Sequence, residues 1–95
     1  MTIEGNDWAG KHVLVTGAGG FIGSHLVETL VKRGAQVRAF VRYNSRNDEG
    51  LLKMLPADIL TNVEIIPGDL RDLTALQTAM RATGIVFHLG ALIAI

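Results

Sequence analysis

Three regularly spaced glycines carry the clearest chemical signal in the sequence. Gly17, Gly20 and Gly23 stand in the stretch VTGAGGFIGSHL, between an apolar run and a segment with helical periodicity. At such a turn the first glycine permits the tight bend, the second lets a pyrophosphate approach the backbone, and the third lets the helix lie close to the strand. Free N–H groups and a partial positive charge at the helix start favour a bound phosphate group. We predict an anion site here; the alternative is a flexible turn that binds nothing.

The elements that must position this turn alternate between strands and helices. Apolar, β-branched runs predict strands at residues 11–16, 36–42, 63–67 and 85–89. Helical spacing predicts helices at residues 20–33 and 72–83, with Asp72 as an N-cap, and a weak helix at 51–55 that Pro56 ends. Such alternation implies parallel strands with right-handed crossovers. The predicted fold is α/β, a Rossmann-type doubly wound parallel sheet of about four strands in the order 3-2-1-4.

Length and composition indicate a single globular unit, residues 1–95. Hydrophobic residues make up 48% of the sequence and the formal net charge is zero, so we expect a packed core and no nucleic-acid partner. There is no cysteine, and the three histidines lie on different predicted elements, so we expect no metal site. No signal peptide is recognisable, and no apolar run approaches the roughly 20 residues of a membrane span. We therefore expect a cytoplasmic protein with no membrane partner.

Three stretches of the sequence carry a family resemblance. They are VTGAGGFIGSHL, PGDLRD at residues 67–72, and FHLGALIAI at residues 87–95. Together they resemble the extended short-chain dehydrogenase/reductase family, the NAD-dependent epimerases and dehydratases that remodel nucleotide sugars. FVRYNSRN and HLGALIAI are most similar to the 4,6-dehydratases that act on GDP-mannose or UDP-N-acetylglucosamine. The family's usual alanine is replaced by glycine at Gly90.

The resemblance implies which residues contact a dinucleotide. It implies that Asp69 meets the adenine amino group, that Leu70 packs on the ring, and that the backbone after the fourth strand runs beside the ribose and pyrophosphate. From its spacing alone, Asp69 could equally be a loop acid that caps its own turn. The predicted cofactor-binding residues are Gly17, Gly19, Gly20, Phe21, Ile22, Gly23, Arg42, Asn44, Ser45, Asp69, Leu70, Leu89, Gly90 and Ala91.

The end of the second strand bears on which nicotinamide cofactor is bound. An NAD site usually offers a carboxylate to the ribose hydroxyls there, whereas NADP needs a cation for its extra phosphate. Val41 stands about where the acid is expected, and Arg42 can bind a phosphate through two parallel hydrogen bonds, with Ser45 and Arg46 as further donors. We favour NADP over NAD. The alternative for each arginine is a solvated loop charge.

The family's catalytic residues have no counterpart in this sequence. Tyr43 is the only tyrosine and Asn47 stands four residues later, so the family's Tyr-x-x-x-Lys pair is absent. Proton transfer to or from a sugar hydroxyl needs such a positioned acid or base. We predict no catalytic residue and no activity for this chain alone. It is interpreted as the cofactor-binding part of a nucleotide-sugar 4,6-dehydratase or epimerase, which holds the dinucleotide for hydride transfer at the sugar C4 and meets a nucleotide sugar only in the complete enzyme.

Two other functions fit the same pattern. The first is a non-catalytic dinucleotide-binding or sensor module. The second is a structural piece that binds nothing and self-associates through its fourth strand, whose apolar edge would present unpaired backbone groups. We expect that the isolated chain forms a homo-oligomer, is only marginally stable, or is the visible part of something longer, because one helix alone would cover the second face of the sheet.

Overall fold

The computed structural model describes residues 8–42 and 50–90, which form one sheet with helices packed on it. The sheet is parallel throughout and its strand order is 3-2-1-4, as predicted. The strands are β1 (His12–Thr16), β2 (Gln36–Arg42), β3 (Val63–Gly68) and β4 (Ile85–His88). The helices are α1 (Phe21–Lys32), α2 (Ala57–Leu60) and α3 (Leu73–Met80), with a short 3₁₀ segment at Gly50–Met54. This confirms the predicted Rossmann-type α/β fold.

The two faces of the sheet support cores of unequal size. Successive side chains of a strand point to opposite faces, so β1 and β2 contribute their valines and Ala39 to one core and Leu14 and Phe40 to the other. On the face covered by α1, ten buried apolar residues form one cluster, whereas the α3 face has three: Leu14, Phe40 and Ala79. Among the described residues, Leu73 and Met80 of α3 are 67% and 46% exposed. The α3 face therefore buries less apolar surface and gains less from it.

Helix α1, Phe21–Lys32, begins and ends near the predicted bounds of residues 20–33. Gly20 is its N-cap, and Val27 and Leu30 face the core one turn apart. At the other end the chain turns through Gly34, whose φ of +95° is a left-handed conformation that glycine adopts without a steric penalty. Helix α1 starts shortly after β1, so its first turn lies near the carboxyl end of that strand.

The connection from β2 to β3 differs from the prediction. We predicted a weak helix that Pro56 would end; instead a 3₁₀ segment ends at Met54, and Pro56 is the N-cap of the additional helix α2. Proline lacks an N–H and has a fixed φ, so it interrupts a helix but is well suited to starting one. The prediction considered only that proline interrupts a helix, and not that it can start one.

Helix α3 starts as predicted and ends earlier. The Asp72 side chain accepts a hydrogen bond from the Ala75 backbone N–H at 3.1 Å, which confirms it as the N-cap. The predicted end at residue 83 is wrong, because α3 stops at Met80. The Arg38 guanidinium on β2 donates to the carbonyl oxygens of Ala79, at 3.0 Å, and Arg81. Carbonyl oxygens at the end of α3 thus accept hydrogen bonds from a side chain on β2. The sequence around α3 does not indicate this contact.

Candidate functional site

The turn after β1 requires glycine at its first position. Gly17 has a φ of +67°, and a Cβ added to it would lie 2.7 Å from the backbone nitrogen of Gly90 and 2.9 Å from the carbonyl carbon of Leu89. Both the left-handed conformation and the close approach exclude a side chain. The turn after β1 therefore packs directly against the loop after β4.

The other two glycines of the motif have different surroundings. A Cβ on Gly23 would lie 2.2 Å from the Gly17 carbonyl oxygen, so α1 packs backbone to backbone on the turn. On Gly20 an added Cβ would meet only that same oxygen among the described residues, at 3.5 Å, which is an ordinary contact. Gly23 is thus required by packing, whereas at Gly20 the described part of the chain leaves the outer face of the turn open.

The open face at Gly20 coincides with the start of α1. The first backbone bond of the helix runs from the Ser24 N–H to the Gly20 carbonyl oxygen at 2.9 Å, so the N–H groups of the three preceding residues have no partner within the helix. The N-cap residue, Gly20, has no side chain that could cap this end. The side chains of Phe21 and Ile22 are each 69% exposed. The arrangement places backbone donors and the positive end of the helix dipole beside an open surface, which suits an anion.

The end of β2 brings a cation to the same edge of the sheet. Arg42 is exposed and lies beside Gly68 in the parallel ladder, while Val41 is only 3% exposed and belongs to the core on the α1 face. Val41 therefore offers no polar group to a ligand. The positive charge of Arg42 also helps to lower the pKa of Asp69, as a minor cause, which shows that the two side chains are near each other.

Asp69 caps its own turn in this structure. Its Oδ1 accepts the Arg71 backbone N–H at 2.8 Å, and its Oδ2 accepts Arg71 Nη2 at 2.7 Å. The side-chain bond from Arg71, and next the backbone bond from Arg71, lower the pKa of Asp69 from its ordinary value of 3.8 to about 2. Leu70 packs with the core on the α3 face and lies against the backbone of Gly90. The segment after β3 thus presents an ionised carboxylate and an apolar side chain at the sheet edge.

We expect an Arg71→Met substitution to raise the pKa of Asp69 toward 3.8, because it removes the largest cause of the depression. The Arg71 backbone donor remains, so the pKa should stay somewhat below 3.8. A carboxyl whose pKa is lowered in the folded state stabilises the fold above about 4, and that contribution disappears as the pH falls toward 2. Titration of the side-chain carboxyl carbons by NMR measures the shift, with Arg81→Met as the control. A wild-type pKa near 3.8 would contradict this account.

The loop after β4 is joined to the end of β1 by side-chain hydrogen bonds. The Gly90 backbone N–H donates to Thr16 Oγ1 at 3.0 Å, and the same oxygen lies 2.8 Å from His88 Nδ1. Leu89 is 43% exposed beside them. We had assigned no site role to Thr16, and the signal that could have identified it is its position directly before the glycine turn.

The predicted site residues converge at the carboxyl edge of the sheet, where open α/β sheets bind ligands. Sequence reasoning missed the contact of the 3₁₀ segment with the glycine turn: Gly50, with a φ of +67°, packs on Gly19, and the Leu51 N–H donates to the Gly19 carbonyl oxygen at 2.9 Å. The signal in the sequence that could have indicated this contact is Gly50, which ends the polar stretch at residues 43–49. Three predicted residues lie outside the described ranges: Asn44, Ser45 and Ala91.

Other kinds of site have no support in the described part of the chain. No group of three or more potential metal ligands occurs within residues 8–42 and 50–90. None of the helices there is long and apolar enough to cross a membrane. A groove of about 460 Å³ exists, but His12, Gln36 and Asn62 place it at the amino ends of the strands, away from the glycine turn.

Comparison with known proteins identifies relatives that share this architecture. A family model described as GDP-mannose 4,6 dehydratase matches residues 14–95. A UDP-N-acetyl-alpha-D-glucosaminuronate decarboxylase from Bacillus cytotoxicus is 35% identical over 88 residues, which cover 90% of this chain and 25% of that protein. The chain thus spans about a quarter of that relative's length.

Solved structures agree with the sequence comparison. An epimerase from Methanothermobacter thermautotrophicus superposes with a TM-score of 0.73 at 35% identity, covering 92% of this chain and 24% of that one. A short-chain dehydrogenase/reductase superfamily protein from Agrobacterium tumefaciens, solved with bound NAD, superposes with a TM-score of 0.62 at 31% identity, covering 87% and 21%. Because the family model matches residues 14–95, most of the sequence, the chain belongs to the GDP-mannose 4,6 dehydratase family.

Proposed function

We propose that this chain is the dinucleotide-binding part of a nucleotide-sugar epimerase or 4,6-dehydratase. The observation that carries the proposal is the contrast between Gly20 and its neighbours in the motif. Packing within the described chain explains why Gly17 and Gly23 lack side chains, but it does not explain Gly20. A pyrophosphate seated against the turn would explain it, since the phosphate oxygens must approach the backbone there.

Each element of the edge has a role in this proposal. The turn and the first N–H groups of α1 hold the pyrophosphate, and Leu70 packs on the adenine. The Asp69 carboxylate accepts a hydrogen bond from the adenine amino group. Its two oxygens already accept four hydrogen bonds from Arg71, so the adenine is an additional donor to the same carboxylate. The loop after β4 lies beside the ribose and pyrophosphate. When bound, the nicotinamide accepts and returns a hydride at the sugar C4, while the residues described here hold and orient the dinucleotide.

We further propose that the cofactor is NADP in preference to NAD. The residue at the position of the usual ribose-binding acid, Val41, is buried and apolar, whereas Arg42 is exposed beside the Asp69 segment. A guanidinium can hold the additional 2′-phosphate through charge-assisted hydrogen bonds. The NAD bound to the relative from Agrobacterium tumefaciens supports a nicotinamide dinucleotide in general.

We expect the chain to bind NADPH more tightly than NADH, and an Arg42→Asp substitution to weaken NADPH binding by about tenfold or more. Binding of NADH should change much less, since it lacks the 2′-phosphate. The fluorescence of the reduced nicotinamide and calorimetry measure both affinities. Arg81→Asp is the matched control, because it makes the same change of charge after α3.

Two outcomes would contradict these proposals separately. If the folded chain binds neither cofactor saturably, the proposal that these residues hold a dinucleotide is wrong. If both cofactors bind equally and Arg42→Asp weakens them equally, the site is a dinucleotide site but the preference for NADP is wrong.

Self-association is part of the proposal and also the basis of the non-enzymatic alternative. Leu73, Met80 and Val86 on α3 and β4 are between 40% and 67% exposed, and exposed apolar side chains that form a patch favour association. We propose a homo-oligomer, which sedimentation at increasing concentration checks. Association that does not change when nucleotide is added, in a chain that binds no nucleotide, would favour the structural alternative.

We further propose a reducing, cytoplasmic location. The absence of cysteine from the sequence fits this proposal.

A further inference from the structure

Thr16 joins the glycine turn to the loop after β4. It is the last residue of β1, directly precedes Gly17, and is only 1% exposed. Its Oγ1 lies 3.0 Å from the Gly90 backbone nitrogen and 2.8 Å from His88 Nδ1. One buried hydroxyl therefore contacts two groups of a segment more than 70 residues away in the sequence.

The available protons determine how this network is bonded. The Gly90 N–H can only donate, so Thr16 Oγ1 accepts from it. A hydroxyl has one proton, and His88 Nδ1 is the acceptor within reach. If Nδ1 carried a proton instead, Thr16 Oγ1 would accept from both groups, and its own buried proton would lose the acceptor that His88 provides. The arrangement in which both the Gly90 N–H and the Thr16 hydroxyl donate has Nδ1 unprotonated, and a neutral imidazole then carries its proton on Nε2.

We infer that Thr16 and His88 are positioning residues for the glycine turn. His88, as its neutral Nε2–H tautomer, orients the Thr16 hydroxyl so that it accepts the Gly90 N–H and holds that backbone against Gly17. The contact is tight, since a Cβ on Gly17 would lie 2.7 Å from the Gly90 nitrogen. This inference rests on the proposed function, because the turn that is positioned is the one proposed to hold the pyrophosphate.

The hydrogen bonds of Thr16 with His88 and Gly90 extend past the residues that pair β1 with β4. The pairing of β1 with β4 runs from Val13 with Ile85 to Thr16 with His88. Gly90 lies two residues past the last of these pairs, where no strand pairing remains to position it. Loss of the hydroxyl should therefore affect the loop and its ligand more than the stability of the sheet.

Two substitutions at Thr16 test the role of the hydroxyl. We expect Thr16→Val to weaken binding of ADP-ribose by about 3- to 10-fold and to accelerate hydrogen exchange of the Gly90 amide, since one hydrogen bond is lost and that N–H is left unpaired. Thr16→Ser keeps the hydroxyl and should restore both to within about twofold of the wild type. Thr29→Val is the control, because the Thr29 hydroxyl bonds only within α1. If the serine variant behaves like the valine variant, the hydroxyl has no positioning role.

Substitutions at His88 and NMR test the imidazole. Long-range ¹H–¹⁵N spectra should show Nδ1 of His88 unprotonated in the wild type; a protonated Nδ1 would overturn the inference. His88→Asn keeps a polar atom near the Nδ1 position and should preserve slow exchange at Gly90, whereas His88→Leu should not. His12→Leu, at the opposite end of β1, is the control.

The readouts separate this inference from the proposed function. If the wild type does not bind ADP-ribose, the proposed function fails, while exchange at Gly90 and the His88 spectrum still decide whether the network exists. If the wild type binds but Thr16→Val changes neither affinity nor exchange, only the positioning role fails.

Discussion

A Gly20→Ala variant remains folded and loses at least about tenfold in affinity for ADP-ribose and for the nicotinamide dinucleotides. The added methyl group would lie 3.5 Å from its nearest described neighbour, the Gly17 carbonyl oxygen, so the fold accommodates it. Gly20 has a φ of −80° and a ψ of 177°, which alanine adopts freely. Because alanine is a poorer N-cap than glycine, we expect a stability loss of about 1 kcal/mol or less. Affinity falls because the methyl group stands where a phosphate oxygen must approach the backbone.

Calorimetric titration with ADP-ribose measures the affinity, and urea unfolding followed by the fluorescence of Trp8 measures stability. Trp8 is the only tryptophan, and its ring centroid lies 6.1 Å from that of Phe87, so it reports on packing between the chain start and β4. Gly84→Ala is the matched control, since a Cβ at Gly84 meets nothing described within 4 Å. Unchanged affinity in Gly20→Ala would show that no ligand approaches this position.

A Gly23→Ala variant is destabilised instead. Its Cβ would lie 2.2 Å from the Gly17 carbonyl oxygen and 2.9 Å from the Ala18 Cα, and both are backbone atoms that cannot rotate away. Helix α1 must shift off the turn, which disturbs the larger of the two cores. Overpacking of this kind costs about 1–3 kcal/mol, and it exceeds the gain of up to about 1 kcal/mol from replacing glycine in a helix. Small domains have only about 5–15 kcal/mol in total.

The midpoint of urea unfolding, compared with that of Gly20→Ala under the same conditions, checks this expectation. A Gly23→Ala chain as stable as the wild type would mean that α1 does not pack as closely on the turn as described. The two alanine variants together separate a glycine required by packing from one required by a ligand, since they change the same motif by the same single methyl group.

Features that depend on neighbours in the sequence were predicted well. The bounds of β2 at residues 36–42 are those predicted, the N-cap at Asp72 is confirmed, and α1 ends before a glycine with positive φ. The alternation of strands and helices indicates a parallel sheet, and the order 3-2-1-4 is that of the classical doubly wound fold, which the glycine turn after the first strand indicates. These features depend on the period of apolar residues and on the conformational preferences of single residues, and both can be read locally.

The tertiary structure decided whatever depends on distances between remote segments. Arg38 bonds carbonyl oxygens at the end of α3 that lie more than 40 residues away in the sequence, and α3 ends earlier than its own sequence indicates. The motif predicts a separate role for each of its three glycines, but only through-space neighbours show that packing within the described chain accounts for Gly17 and Gly23 and not for Gly20. The sequence by itself therefore determined the fold and the location of the candidate site at the carboxyl edge. The bonding within that site was decided only by folding, because Thr16 and His88 acquire their partners when β1 and β4 come together.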